Sequence, residues 1–243
     1  MFQQGYGAAP NLRRTFSDAT SLCGVTALAG QGDLLLPGIG ISVTHPPIPA
    51  ISLLLLSDIE PGTIILSQNF DGVTAPALPA GWVNTAQAGS SAWVTSTTTP
   101  HSAPNAAFAP NPGTVTDTTL DSPGISVPAG GARLSFMNFY TMESTFDGVV
   151  LEISINGGAF QDITTGGNAF IAGGYTGPIS TAFGNPIGGR QAWSGTSSTY
   201  ITSTINLPAA ANGQSVKLRW RAATDNSVSA TGVRIDGVTV TAN

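Results

Sequence analysis

Apolar and polar side chains alternate along several separate stretches of this 243-residue chain, and no sustained 3.6-residue apolar period occurs. That pattern restricts it to a β fold with few helices. In residues 149–156, Val149, Leu151, Ile153 and Ile155 share one face, while Glu152, Ser154 and Asn156 take the other. In 214–223, Val216, Leu218, Trp220 and Ala222 point one way and Lys217, Arg219 and Arg221 the opposite way. Each is a strand with one buried and one wet face, as an antiparallel sandwich requires. Asn156-Gly157-Gly158, followed by a returning stretch at 160–164, predicts a hairpin, because Asn and Gly tolerate positive φ.

Further strands are expected at 63–70, 92–96, 118–127, 132–140, 200–207 and 232–241. In the last, apolar positions are odd at Val233 and Ile235 but even at Val238 and Val240, so a bulge or bend is expected near Asp236-Gly237. Eight or more strands with Gly and Pro turns read as an all-β, two-sheet antiparallel sandwich over residues 61–243. Residues 1–60, punctuated by Pro37, Pro46, Pro47 and Pro49, form an irregular N-terminal extension. The Gly-rich stretch 166–198 carries Phe170, Tyr175, Phe183 and Trp193 and is expected to be a structured loop region of the kind that carries function.

Charged residues make up 9% of the chain, with a single lysine, Lys217, and a net charge of −5; soluble domains usually carry roughly 25%. No Lys/Arg block offers a nucleic-acid interface. One cysteine, Cys23, excludes a disulfide within the chain and has no context suggesting an activated thiolate. Arg13-Arg14 followed by Thr15-Phe16 resembles a twin-arginine signal, but residues 17–30 are too polar for its apolar region. The run 51–56 is too short to span a bilayer, which needs roughly 20 apolar residues.

Constellations for catalysis are missing. His45 and His101 are too few for a His-based zinc site and no His-Glu-x-x-His is present. Neither a Gly-x-Ser-x-Gly elbow nor a phosphate-cradling loop occurs. Glu143, Asp147 and Glu152 are spaced four and five apart, unlike the closely spaced acids on one strand of concanavalin-like glucanases. The chain therefore reads as a non-enzyme.

The order of motifs from residue 68 to 240 resembles the MAM-like and cleaved-adhesin domains of extracellular bacterial proteins. The likeness is carried by Gln68-Asn69-Phe70-Asp71-Gly72, Pro79-Ala80-Gly81-Trp82, Ala92-Trp93 and Ser102-Ala103-Pro104-Asn105-Ala106-Ala107-Phe108. Leu120-Asp121-Ser122-Pro123 follows, then Leu134-Ser135-Phe136 with Tyr140, Glu143 and Phe146-Asp147-Gly148-Val149-Val150-Leu151-Glu152-Ile153-Ser154. Gln191-Ala192-Trp193-Ser194-Gly195, Val216-Lys217-Leu218-Arg219-Trp220-Arg221 and Gly232-Val233-Arg234-Ile235-Asp236-Gly237-Val238 close it. The resemblance implies a concanavalin-like jelly roll, secreted or at a bacterial cell surface, often calcium-bound and used in adhesion or carbohydrate contact. Two departures stand out: the MAM cysteines are absent, and Asp236-Gly237 replaces the usual acidic pair on the last strand.

With that resemblance, Asp71, Glu143, Asp147, Asp225 and Asp236 become candidate ligands of a structural calcium, with Asp71 brought towards Asp236 if first and last strands are neighbours. The alternative is that these Asp residues form Asx-turns. Tyr175, Arg190, Gln191, Trp193 and Tyr200 gather around the long loop and are candidates for binding an extracellular glycan or protein. Trp82, Trp93 and Trp220 are assigned to the core. Lys217, Arg219 and Arg221 either pair with acidic neighbours such as Glu152 or meet a sulfated or acidic ligand. Ile51, Leu53, Leu54, Leu55 and Leu56 form an unalternating apolar run that must be buried. It docks on its own sandwich or on another copy, in which case strand exchange would build an extracellular fibre.

Overall fold

The computed structural model describes residues 60–87 and 90–243. The run 51–56, and with it the assembly role expected of Ile51, Leu53, Leu54, Leu55 and Leu56, lies outside the described residues. Strands β1 (Ile64–Gln68), β2 (Val83–Ala86), β3 (Val94–Ser96), β4 (Ala106–Asn111) and β5 (Thr116–Asp121) come first. They are followed by β6 (Ile125–Ser126), β7 (Ala132–Thr141), β8 (Gly148–Ile155) and β9 (Gln161–Asp162). The Gly-rich region contributes β10 (Phe170–Ala172), β11 (Gly177–Pro178) and β12 (Gln191–Ala192), and then come β13 (Ile201–Asn206), β14 (Ser215–Thr224) and β15 (Ala230–Ala242).

Two antiparallel sheets result. One has the order β10-β13-β7-β15-β4-β3 with β1 also on β15; the other runs β2-β5-β14-β8-β9 with β6 also on β14. Strands β11 and β12 form a small ladder of their own within the long loop. The inner faces meet through Leu134, Phe136, Ile205, Val233 and Ile235 of the first sheet and Leu120, Leu151, Leu218 and Trp220 of the second. Phe136 bridges them: its ring lies 5.3 Å from Trp220 and 5.7 Å from Trp193, both at right angles within a few degrees. Trp82 stacks on Trp220 at 5.9 Å. Trp82, Trp93 and Trp220 are all buried, as expected.

Strand β15 is the hub of the first sheet. It pairs with β7 along one side, from Gly232 to Ala242. Along its other side it pairs with β4 as far as Ile235, and with β1 from Val238 onward. The parity switch read from the sequence is a bulge at this change of neighbour: the register against β7 shifts between Asp236 and Thr239, and Gly237 takes φ 54°. The Asn156-Gly157 hairpin is likewise formed with positive φ at both residues, 52° and 74°, the turn whose twist matches that of the strands.

Other expectations were too coarse. The strand expected over 118–127 breaks into β5 and β6, because Ser122-Pro123-Gly124 interrupts the ladder and proline has no N–H to donate. Strands β2 and β4 were not foreseen: β4 is rich in Ala and contains Pro110, so its inward positions carry no strong apolar signal.

Gly232 sits at a second register shift, between Ala230 and Val233, with φ 108°. A Cβ there would collide with the Ala109 carbonyl oxygen and lie 2.8 Å from Pro110 Cα. Gly157 also has positive φ but open space around it. Gly232→Ala is expected to lower unfolding free energy by about 3 kcal/mol or more, and Gly157→Ala by only about 1 kcal/mol, as measured by urea denaturation.

Candidate functional site

The outward face of the second sheet is an ion-paired lattice. Register places Arg219 of β14 opposite Asp121 of β5 and Glu152 of β8, and Arg221 opposite Thr119 and Val150. Arg219 grips Asp121 with two bonds of 2.7 and 2.8 Å, and Arg221 grips Asp117 with two of 2.8 and 2.6 Å. Arg190 reaches down from the long loop to donate to both Glu152 and Asp162, which are neighbours across β8 and β9. Arg219 and Arg221 of the basic stripe therefore follow the cross-strand pairing reading, and their acidic partners are Asp117 and Asp121 as well as Glu152. The two bidentate forks, Arg219 on Asp121 and Arg221 on Asp117, suit the planar guanidinium. Glu152 and Asp162, the facing pair on this surface, are separated by a guanidinium, which leaves no room between them for a glycosidic bond.

The five aromatic and polar residues assigned to one ligand site do not form one. Trp193 is fully buried: its ring packs 4.7 Å from Tyr175 and 5.2 Å from Phe170, and its Nε1–H donates to the Gly173 carbonyl at 2.9 Å. It cannot stack on a sugar. The Tyr175 hydroxyl accepts the Leu151 N–H at 2.9 Å, on the edge of β8 between the point where Val149 bridges to Trp193 and the point where Ile153 pairs with β9. A phenol thus closes a short gap in a sheet edge, where an unpaired N–H would otherwise be stranded. Burial pushes its pKa up, well beyond the usual tyrosine value, and the neighbouring Asp162 adds to the effect. Arg190 is committed to Glu152 and Asp162, and Gln191 is exposed on β12. Tyr200 lies at the other sheet, 5.3 Å from Phe139 and 5.2 Å from His101, donating to the Thr99 carbonyl; burial, then Asp236, pushes its pKa up to about 12.

The reason for this dispersal is a second apolar cluster outside the main core. Ile179, Ile187 and Ala192 of the long loop pack on Val150 and Ala223 of the second sheet. The loop folds down onto the sheet by these side chains and turns Phe170, Tyr175 and Trp193 inward, while Phe183 stays exposed.

The candidate calcium ligands fall into two groups. At the bulge of β15, Asp236 accepts the N–H groups of His101 and Ser102 at 2.9 and 2.8 Å, and Asp71 accepts that of Asn105 at 2.9 Å. The Ser102 hydroxyl lies 3.0 Å from Asp71 and 3.3 Å from Asp236, so the two strands do meet here. Burial raises the Asp236 pKa against the pull of three backbone N–H groups. Glu143, Asp147 and Asp225 gather elsewhere, one oxygen of each within 4.8 Å of the others. Asp147 and Asp225 are fully buried; Asp147 accepts the Asp225 N–H at 2.7 Å and the Asn111 side-chain N–H at 2.8 Å. Burial pushes the Asp147 pKa up to about 6, and the charges of Asp225 and Glu143 push the same way. Asn111 was missed from the sequence, where only its place before Pro112 at the end of a strand marked it.

Two outcomes follow. Trp193→Ala is expected to cost about 3–5 kcal/mol of stability in urea unfolding, the signature of a core ring. In chelator, the carboxyl of Asp147 holds its proton more tightly folded than unfolded, so stability should fall as pH rises from about 4 to about 6. Asp147→Asn should flatten that slope in melting temperature.

No protein-family model and no curated protein matches the chain. Solved structures do. The K1 cleaved adhesin domain of the Lys-gingipain of Porphyromonas gingivalis W83 shares 19% identity over 75% of this chain and 99% of that one, with a TM-score of 0.45. The CBM22-1 xylan-binding domain of Xyn10C from Paenibacillus barcinonensis shares 12% over 75% and 96%, at 0.44. TmCBM61, solved with β-1,4-galactotriose, shares 11% over 73% and 100%, at 0.43.

Proposed function

We propose that this chain is an extracellular, non-catalytic binding or adhesion module whose contact surface is the loop edge around residues 112–115, 143–147, 181–187 and 225–229. The carrying observation is that three of these loops, tied to one another by hydrogen bonds, each present an exposed apolar side chain. Phe183, Val228 and Val115 are 59%, 56% and 45% exposed, half of the large hydrophobics exposed among the described residues. Leaving a side chain of this size in water forgoes about 1.5–3 kcal/mol of burial, and such residues brought together mark a contact surface.

The loops that carry them are held firmly. Phe183 packs on Phe146 at 5.7 Å. The Asn185 side chain donates to the carbonyls of Phe146 and Ala223, and the Thr224 hydroxyl to that of Thr114. Apolar groups on prearranged loops lose little conformational entropy when a partner covers them. The non-catalytic reading is supported by the carboxylates: four are committed to arginines on the sheet face, and Asp147 and Asp225 are too deeply buried to reach a substrate. The ligand is an extracellular glycan or protein presenting apolar surface.

Binding to a glycan array and to intact bacterial and host cell surfaces tests this. Phe183→Ser combined with Val228→Ser should leave the melting temperature unchanged and weaken binding about ten- to thirtyfold. Undiminished binding by the double variant would move the contact elsewhere, and release of reducing sugar from a polysaccharide would overturn the non-catalytic reading.

A further inference from the structure

We propose that Arg234, on the outward face of the first sheet, forms a binding site for an acidic peptide and takes a glutamate carboxylate of a protein partner on the free edge of its guanidinium. None of the residues involved belongs to the loop edge described above, and the inference does not depend on the contact proposed there. Val233 and Ile235 point into the core, so Arg234 between them lies on the opposite side of β15. Register sets Phe108 of β4 beside it on one flank and Phe139 of β7 on the other, with the Tyr200 ring packed 5.3 Å from that of Phe139. The guanidinium carbon stands 4.7 Å from the Phe108 ring centre and 5.9 Å from that of Phe139, so the cation lies in a row of rings.

Its charge has no counterpart. Arg190, Arg219 and Arg221 all pair with carboxylates, and the exposed Arg133 donates to Asn206. Arg234 is 3% exposed, and no carboxylate among the described residues pairs with it. Asp236, two residues on and on the same face, is already taken by the N–H groups of His101, Ser102 and Gly237. Of the guanidinium donors only Nε–H is used, towards the Thr98 carbonyl at 2.8 Å. The Nη groups donate to nothing among the described residues, yet neither is sealed from solvent. The flanking rings attract the cation but accept none of its in-plane donors. A buried guanidinium with an open, unpaired edge is suited to an anion, and the fork of its N–H groups matches the two oxygens of a carboxylate.

The site is recessed and held in shape before any ligand arrives. Residues 97–102 cross it: the Thr98 carbonyl rests on Arg234, and the Thr99 carbonyl accepts the Tyr200 hydroxyl at 2.9 Å. The His101 ring lies 5.2 Å from that of Tyr200, and Asp236 ties down the same segment through two N–H groups. A donor fixed in this way loses little entropy on binding. Because Arg234 is almost wholly covered, a ligand must reach it on a slender stem. Glutamate carries its carboxylate on two methylenes, which can lie against Phe139 and Tyr200. A hexuronic acid carries its carboxylate directly on a bulky ring, which the recess holds off. The depth of the site therefore favours a protein partner over an acidic glycan.

The test titrates the whole chain, labelled with nitrogen-15, with glutamate capped at both ends as N-acetyl-glutamate N-methylamide. The Arg234 Nε–H signal should shift and saturate with a dissociation constant of about 1–10 mM, as one charge-assisted contact allows. Capped glutamine, the neutral isostere, should bind about tenfold more weakly or worse. Arg234→Met keeps a stem between the two rings and should abolish binding, read from the shifts of Tyr200 and His101, without lowering the melting temperature, because it removes a buried charge that has no partner. Should Arg234→Met not fold, Arg234→Lys keeps the charge without the planar fork and should weaken binding about tenfold. Arg133→Gln should leave binding intact. A wild-type chain with no saturating shift at Arg234 overturns the proposal, as does equal binding of capped glutamine or binding that survives both Arg234 substitutions. Tighter binding of glucuronate than of capped glutamate would overturn the assignment to a peptide.

Discussion

Strand β15 must serve two partners in succession on one side while holding a single partner on the other, and the first sheet depends on how that change is managed. Where β4 gives way to β1 the ladder has a seam, and the loop leading into β4 brings backbone N–H groups to it that no strand can accept. Asp236 sits at the seam and takes two of them, and Asp71, just beyond β1, takes a third. The carboxylates do for the seam what a carbonyl row does within a strand. Burial raises the pKa of Asp236, and the backbone N–H groups that converge on it pull the other way.

The same economy recurs at the second sheet. Its edge at β8 is completed by pieces of three different origins: the short strand β9, a single bridge from Val149 to Trp193, and the hydroxyl of Tyr175. Its outer face is closed by guanidinium forks that neutralise every acid they overlie. Both solutions fit a chain with very few charges. Each arginine on this face is matched to a carboxylate, and little charge is left over to attract a ligand by electrostatics alone. In the proposed binding role, recognition then falls to shape and apolar contact at the loops.

Much of this was legible in the sequence because period-2 alternation speaks directly about burial. The long strands β7, β8, β14 and β15 show it clearly, and the parity switch at Asp236 located the seam without any coordinates. Strands β2 and β4 were silent, since Val83–Ala86 and Ala106–Asn111 hold mainly small or polar residues and owe their pairing to neighbours. The aromatic residues of the long loop misled for a physical reason. Composition reports that Tyr175 and Trp193 are amphipathic rings in a glycine-rich region, and such rings serve equally to bind a ligand or to fill a core. Which of the two holds is decided by Ile179 and Ile187, whose packing on Val150 and Ala223 draws the loop inward. The five carboxylates read as one candidate set lie at two corners, a distinction that depends on strand order rather than on spacing.

The private apolar cluster of the long loop also separates what it anchors from what it displays. Ile179 and Ile187 clamp the two ends of a short excursion, and the residues at its tip, from Thr181 to Gly184, are all exposed and make few demands on the fold. Sequence drift at that tip is therefore uncoupled from stability, much as hypervariable segments are on an antibody framework. In the proposed binding role a lineage of such modules could diversify its targets there, and an engineer could graft a randomised library over Thr181–Gly184 while Asn185 and the sandwich beneath stay as they are.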